Sequence, residues 1–427
     1  MTASDAIAAG PQAWTDDPLF VTEVEACLCL RHCPGLGPRT WKRILGRYPS
    51  ATAALADARS LRSQGLCDDA VAGALLRGDS KAPARREMET AAARGIIPLP
   101  FFHPAYPARL REIPDPPILL YVLGDPTLLG RPAVALVGAR QCSRYGFETA
   151  WRIAADLSAA GVTVVSGLAF GIDRQAHLGG LAGPGSSVAV LGTGLDLVYP
   201  DANLDVWREL AARGALVSEF APGTPPQAQN FPIRNRVIAG LALGVMVVEA
   251  AARSGSLITA RLALDQGREV FALPGPVSLP TFAGCHSLLA SGATLVQSAE
   301  DILTNLAREL AAALAAPVPT VPLQAPGARP IPTARPASGQ TACLPPPSAR
   351  PRAVPEKLEG LEAAVAALLS DEGKLHIDAV ARHLGAASAA VSRALVCLEL
   401  KGLVRKWPGM YYSREVEEPG ASCRKSL

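Results

Sequence analysis

Seven short, valine-rich apolar runs, spaced by stretches of helical character, constrain this chain more than any other feature. The runs cover residues 134–137, 162–165, 188–191, 216–217, 245–248, 270–273 and 294–296. Helical stretches lie between most of them, over 145–160, 204–213, 258–266 and 299–313. Strands that are apolar throughout, rather than alternately, are buried on both faces, and strand–helix alternation provides the cover. The expected fold class is α/β, with a mostly parallel sheet.

Small residues follow the strands: Gly138-Ala139-Arg140, Ser166-Gly167-Leu168, Gly192-Thr193-Gly194, Ser254-Gly255-Ser256 and Pro274-Gly275. Open sheets of this class bind ligands outside the carboxyl ends of their strands, where helix N-termini offer free N–H groups. An anionic ligand is expected there. A dinucleotide fits poorly, because Val137 is followed by Gly-Ala-Arg-Gln-Cys-Ser-Arg-Tyr-Gly rather than G-x-G-x-x-G, and no acid ends the next strand. No lysine occurs between Lys81 and Lys357, which excludes a P-loop or a Schiff base from the middle of the chain.

Arginine placement is more informative. Arg140 and Arg144 follow the first run, Arg234 and Arg236 are read as preceding a helix, and Arg253 and Arg261 flank Ser254-Gly255-Ser256. Tyr145, Phe170, Phe220 and Phe231 interleave with them. Guanidinium forks match phosphate oxygens and aromatic faces stack on bases, the composition of a single-strand nucleic-acid platform. The net charge of +3 gives no basic footprint of its own. Asp173 and His177 share one helix face, where a local structural contact outweighs an acid–base or metal pair. Cys27, Cys29 and Cys33, beside His32, read as small buried thiols, since no second half of a zinc site is evident. No catalytic residue, metal or cofactor is expected.

With 427 residues, about three domains are expected. Residues 20–95 read as short helices, 100–314 as the sheet domain, and 317–355 as a semi-rigid linker with 12 prolines in 39 positions. Helical periodicity returns over 356–414. Met1–Asp17 lacks the basic start of a secretory signal, and the apolar run at 237–248 is too short to span a bilayer. Nine thinly spread cysteines suit reduced thiols, so a cytoplasmic location is expected.

Several stretches together resemble the DNA processing protein A (DprA/Smf) family. They are Tyr106-Pro107, Asp115-Pro116-Pro117, Val137-Gly138-Ala139-Arg140, Ser166 through Asp173 with His177, Gly192 through Asp196, and Tyr199-Pro200. The most specific is Asn230-Phe231-Pro232-Ile233-Arg234-Asn235-Arg236, followed by Glu249-Ala250 and by Ser254 through Arg261. The resemblance covers about residues 100–303, in the same order and spacing. It implies an extended Rossmann-like sheet that forms a homodimer, binds single-stranded DNA and helps load the RecA recombinase during natural transformation. A single-strand binding protein is a further candidate partner. Gly138 and Arg140 would contact phosphate. Phe231, Arg234, Asn235 and Arg236 would lie at the pocket mouth, and Ser254, Gly255, Ser256 and Arg261 at a helix start facing DNA. Phe170 stands where the family usually has Arg, and His286 where it usually has Asn.

The flanks fit the resemblance. Cys33 through Thr40 reads as the hinge of a helix-hairpin-helix or SAM-like domain. Residues 356–414 have a winged-helix layout, with Ser388 capping a recognition helix that carries only Arg393 before Glu399. A duplex-binding role and a protein–protein role both remain open for it. The alternative for the sheet is a phosphoribohydrolase-like enzyme using Glu249 as acid, although that family's P-G-G-x-G-T run is missing.

Overall fold

The structure, a computed structural model, describes residues 13–315, 361–372, 375–386, 403–407, 411–414 and isolated positions from 390 to 398. Six helices come first: α1 (Pro18–His32), α2 (Pro38–Leu45), α3 (Ala51–Ala56), α4 (Ala58–Ser63), α5 (Asp69–Arg77) and α6 (Lys81–Ala93). Side-chain caps fix three of their starts. Asp17 accepts from the N–H groups of Leu19 and Phe20, Ser50 from Ala53, and Asp68 from Val71. Cys27, Cys29 and Cys33 are buried on α1 and at its end, and burial pushes their thiols up, as suits packing rather than reactivity. His32 turns instead to Glu87, 2.7 Å away. The apolar core of these helices runs without a break into that of the sheet.

Nine strands follow: β1 (Ile97–Pro100), β2 (Leu119–Gly124), β3 (Ala133–Val137), β4 (Thr163–Ser166), β5 (Ser187–Val190), β6 (Ala215–Ser218), β7 (Gly244–Val247), β8 (Glu269–Ala272) and β9 (Thr294–Leu295). Their order is β1-β2-β6-β5-β4-β3-β7-β8-β9. From β6 to β9 every neighbour is parallel, while β1 and β2 add antiparallel pairs at one edge. All seven apolar runs are strands within a residue of their expected bounds, and β3, β4, β5 and β7 are buried at every position. The α/β class with a mostly parallel sheet is as expected.

Between the strands lie α7 (Ala108–Glu112), α8 (Arg144–Ala159), α9 (Ile172–Gly180), α10 (Leu204–Arg213), α11 (Asn230–Leu241), α12 (Ser256–Asp265) and α13 (Ala283–Ala290), and α14 (Ala299–Asn305) and α15 (Ala307–Ala315) follow the last strand. The single helix expected over 299–313 is thus two, parted at Leu306. Arg234 and Arg236 lie inside a helix rather than before one. Pro232 is in the first turn of α11, where its missing N–H has no intrahelical partner to lose.

The chain builds outward from β3 to β6, then returns along α11 to place β7 on the other side of β3. The order reverses there, so the carboxyl ends of β3 and β7 diverge into a crevice. A second unit carries α16 (Leu361–Glu372), β10 (Leu375–His376), α17 (Ile377–Leu384), β11 (Val404–Trp407) and β12 (Tyr411–Arg414). Its antiparallel sheet runs β10-β12-β11, and Val365, Leu369, Val380, Leu395 and Tyr412 form its own core. The proline-rich stretch 317–355, Ser388, Arg393 and Glu399 lie outside the described residues.

His177 is fully buried on α9 and structural. Its Nε2 accepts from the Leu168 N–H at 3.1 Å, so Nδ1 carries the proton toward Ser187 Oγ at 2.8 Å. A second proton would have to sit against that N–H, and burial holds the imidazole pKa at about 3. The folded pKa is depressed, so the unfolded chain takes up a proton first as pH falls below 6.5. Between there and about pH 3 this residue should remove up to about 1.4 kcal/mol of stability per pH unit. Urea unfolding across that window should give a shallower pH slope for His177→Gln than for the native chain.

Candidate nucleic-acid interface

The β3–α8 and β4–α9 turns meet at the crevice, and glycines let them meet. Gly171, at φ 71°, lies against the Ala139 and Arg140 carbonyls so closely that any Cβ would overlap them. The Ile172 N–H donates to Ala139 O at 3.2 Å, and the Ala139 N–H donates across the crevice to Glu249 O at 2.7 Å. Gly138 packs under Ile172, whose Cγ1 would be 2.6 Å from an added Cβ. Gly146 similarly leaves room for the Glu249 carboxylate. That carboxylate, wholly buried, accepts from the Ser143 N–H at 3.0 Å and from Ser143 Oγ at 2.7 Å. Both its oxygens serve the start of α8, which does not suit the acid role of the hydrolase reading.

The resulting cleft has a volume of about 480 Å³. Gly138, Arg140, Phe231, Arg234, Asn235, Ser254, Gly255 and Ser256 all line it, together with Arg253 and Asp173. It opens into a narrow recess of about 30 Å³, with room for about two waters, walled by Arg140, Phe170, Tyr199, Phe231 and Arg234.

Arg234 is the unusual member. Its side chain is buried, its Nη2 donates to Gly167 O at 3.1 Å, and its Nε has no partner. No carboxylate lies within ion-pair distance among the described residues; Asp173 acts on it only from further away. Burial lowers its pKa to about 10, so it stays charged at neutral pH. Arg140 is exposed, with no hydrogen bond or ion pair among the described residues, and both guanidinium groups lie about 6 Å from the Phe231 ring centre, at 5.9 and 6.0 Å. Asp173 is pushed up by burial, an effect that Arg234 partly offsets. Ser254 Oγ and Ser256 Oγ stand 2.7 Å apart at the start of α12. The arrangement is a positive, aromatic-floored cleft that can hold phosphate oxygens and a stacked ring.

Two expected site residues lie elsewhere. Arg236 is buried and holds Glu219 in two hydrogen bonds of 2.7 and 2.6 Å, with Asp115 at 3.2 Å, so it ties α11 to β6 and to the segment before β2. Arg261 is exposed on α12 and does not line the cleft. Tyr199, Arg253 and Gly167 complete the site. The last was legible only as a small residue after a strand; a Cβ there would fall inside the Arg234 guanidinium.

Comparison with known proteins bears on this geometry. A family model described as DNA recombination-mediator protein A matches residues 98–307, which hold β2 to β9 and all but the first residue of β1. A second, the DprA winged helix domain, matches residues 346–410. The DNA processing protein DprA of Streptococcus pneumoniae is 46% identical over 200 residues, which is 47% of this chain and 71% of that protein. The chain belongs to the DprA family. Protein Smf of Synechocystis is 35% identical over 332 residues, 73% of this chain and 78% of that relative. Protein Smf of Escherichia coli is 50% identical, over 47% of this chain and 54% of the relative. The X-ray structure of DNA processing protein A from Streptococcus pneumoniae aligns with a TM-score of 0.58 at 35% identity, covering 67% of this chain and 96% of that one. No described helix is long and apolar enough to cross a membrane.

The two arginines of α11 should separate cleanly on substitution. Arg236→Ala strands Glu219 and should cost roughly 3–5 kcal/mol of stability, read as a lower urea midpoint at constant slope. Gly167→Ala should displace the Arg234 guanidinium, so its effect on oligo-dT binding, read by anisotropy, should match that of Arg234→Ala.

Proposed function

We propose that this DprA-family chain captures single-stranded DNA in the β3–β7 cleft and delivers it to a RecA-type recombinase. The observation that carries the reading is Arg234, a buried guanidinium with no carboxylate at ion-pair distance among the described residues, beside Arg140, which makes no ion pair among them, and near the Phe231 ring. A buried charge is costly unless something neutralises it, and a phosphodiester does so while its base reaches an aromatic face. Duplex DNA hides its bases inside the stack, so the Phe231 ring in the cleft, with Phe170 and Tyr199 beside it, favours an unpaired strand. The protein acts as a binding mediator rather than an enzyme, consistent with a Glu249 carboxylate engaged by Ser143. Homodimerisation through the sheet domain, delivery to RecA with a single-strand binding protein nearby, a cytoplasmic location and a partner-binding winged-helix unit complete the proposal.

Fluorescence anisotropy with labelled oligo-dT tests it. Log affinity should fall with log salt at about −0.7 per phosphate neutralised, whereas an affinity flat from about 50 to about 500 mM salt would contradict phosphate capture. Arg140→Ala should weaken binding by roughly 1–3 kcal/mol at a fixed salt concentration. An unchanged Kd would remove Arg140 from the site.

A further inference from the structure

Beyond the cleft, Arg140 also forms one wall of an open groove on its far side, shared with Gln141, Cys142, Phe147, Phe170 and Gly171. Phe170 belongs to both the recess and this groove, and Gln141 to both the cleft and the groove, so the three depressions are continuous. The groove carries two aromatic rings that the fold does not bury, Phe170 at 43% exposed and Phe147 at 44%, and Trp151, 45% exposed, lies one turn beyond Phe147 on α8. Phe147 and Trp151 are four residues apart on α8 and therefore on one face of it. The backbone that carries Phe170 is held in place, because Gly171 packs its turn onto the Ala139 and Arg140 carbonyls. Large rings kept in water beside an arginine with no ion pair among the described residues suit an occupant that is both planar and anionic.

We infer that the groove is an exit track, in which the bases of the strand leaving the cleft stack on Phe170, Phe147 and Trp151 while Arg140 holds the phosphate at the bend. This rests on the cleft binding single-stranded DNA and adds a direction to it: the strand runs from Phe231 past Arg140 onto α8. It also gives Phe170 a task that arginine at that position would perform differently, extending a stacking surface instead of adding a charge.

The test compares oligo-dT of about 6 nucleotides, enough for the cleft, with one of about 15, enough for cleft and groove. The native chain should bind the longer strand more tightly per site. The Phe147→Ala/Trp151→Ala variant should lose about fivefold or more on the 15-mer and stay within about twofold on the 6-mer. Its melting temperature should match the native one, since both side chains are half-exposed, and Phe147→Trp should restore the 15-mer affinity. Within the native protein, the 15-mer but not the 6-mer should quench a fluorescence component that Trp151→Phe removes. If the native chain binds neither oligonucleotide, the cleft reading itself fails. If it binds both and the double variant matches it on both, the track alone is overturned and the ledge passes to a protein partner.

Discussion

A single buried carboxylate, Glu249, joins the two halves of the sheet where the strand order reverses. Its side chain receives the Ser143 N–H and hydroxyl, and its backbone oxygen receives the Ala139 N–H. A carboxylate removed from water is tolerated only when its lone pairs are met, and here that requirement fixes the β3–α8 turn against the end of β7. Gly138 and Gly146 are part of the same constraint, since a side chain at either would displace Ile172 or the carboxylate. These bonds hold the floor of the cleft, and with it the backbone at Arg140. Pre-organisation of this kind lowers the ordering cost of binding.

The electrostatics follow from arginine being the basic residue throughout this region. A lysine buried as deeply as Arg234 would readily surrender its proton, whereas a guanidinium at about 10 keeps its charge at neutral pH. Asp173 is the acid among the cleft's lining residues; burial raises its pKa, and Arg234 opposes that rise. A chain with a net charge of only +3 can thus present a locally strong anion site. The acids are placed where they fasten the fold: Glu219 and Asp115 on Arg236, Asp205 on Arg174, Glu87 on Arg31.

Much of this was legible in the sequence because a doubly covered parallel sheet imposes an unmistakable pattern, a run of apolar residues with no polar alternation. The antiparallel edge was not. β1 reads Ile-Pro-Leu-Pro, and a strand with two prolines is possible only at an edge, where the missing donors have no ladder to serve. At the site, eight of the ten expected residues line one cleft because strand-end turns converge by topology. Arg236 was misplaced for a different reason. Nothing in Asn230 through Arg236 distinguishes an arginine facing the cleft from one facing Asp115 and Glu219, because those partners come from other parts of the chain. His177 and Glu249 carried chemically suggestive side chains whose work turned out to be internal hydrogen bonding, which only the tertiary neighbours reveal.

The central claim is that a single strand lies in this cleft with a base on Phe231 and its phosphate between Arg140 and Arg234. Photocrosslinking with an oligonucleotide carrying one 5-iodouracil, followed by peptide mapping by mass spectrometry, tests it most directly. The claim predicts crosslinks to Phe231 or Tyr199, the two rings 5.6 Å apart at the recess. Crosslinks confined to the α1–α6 helices or to the second unit would contradict it.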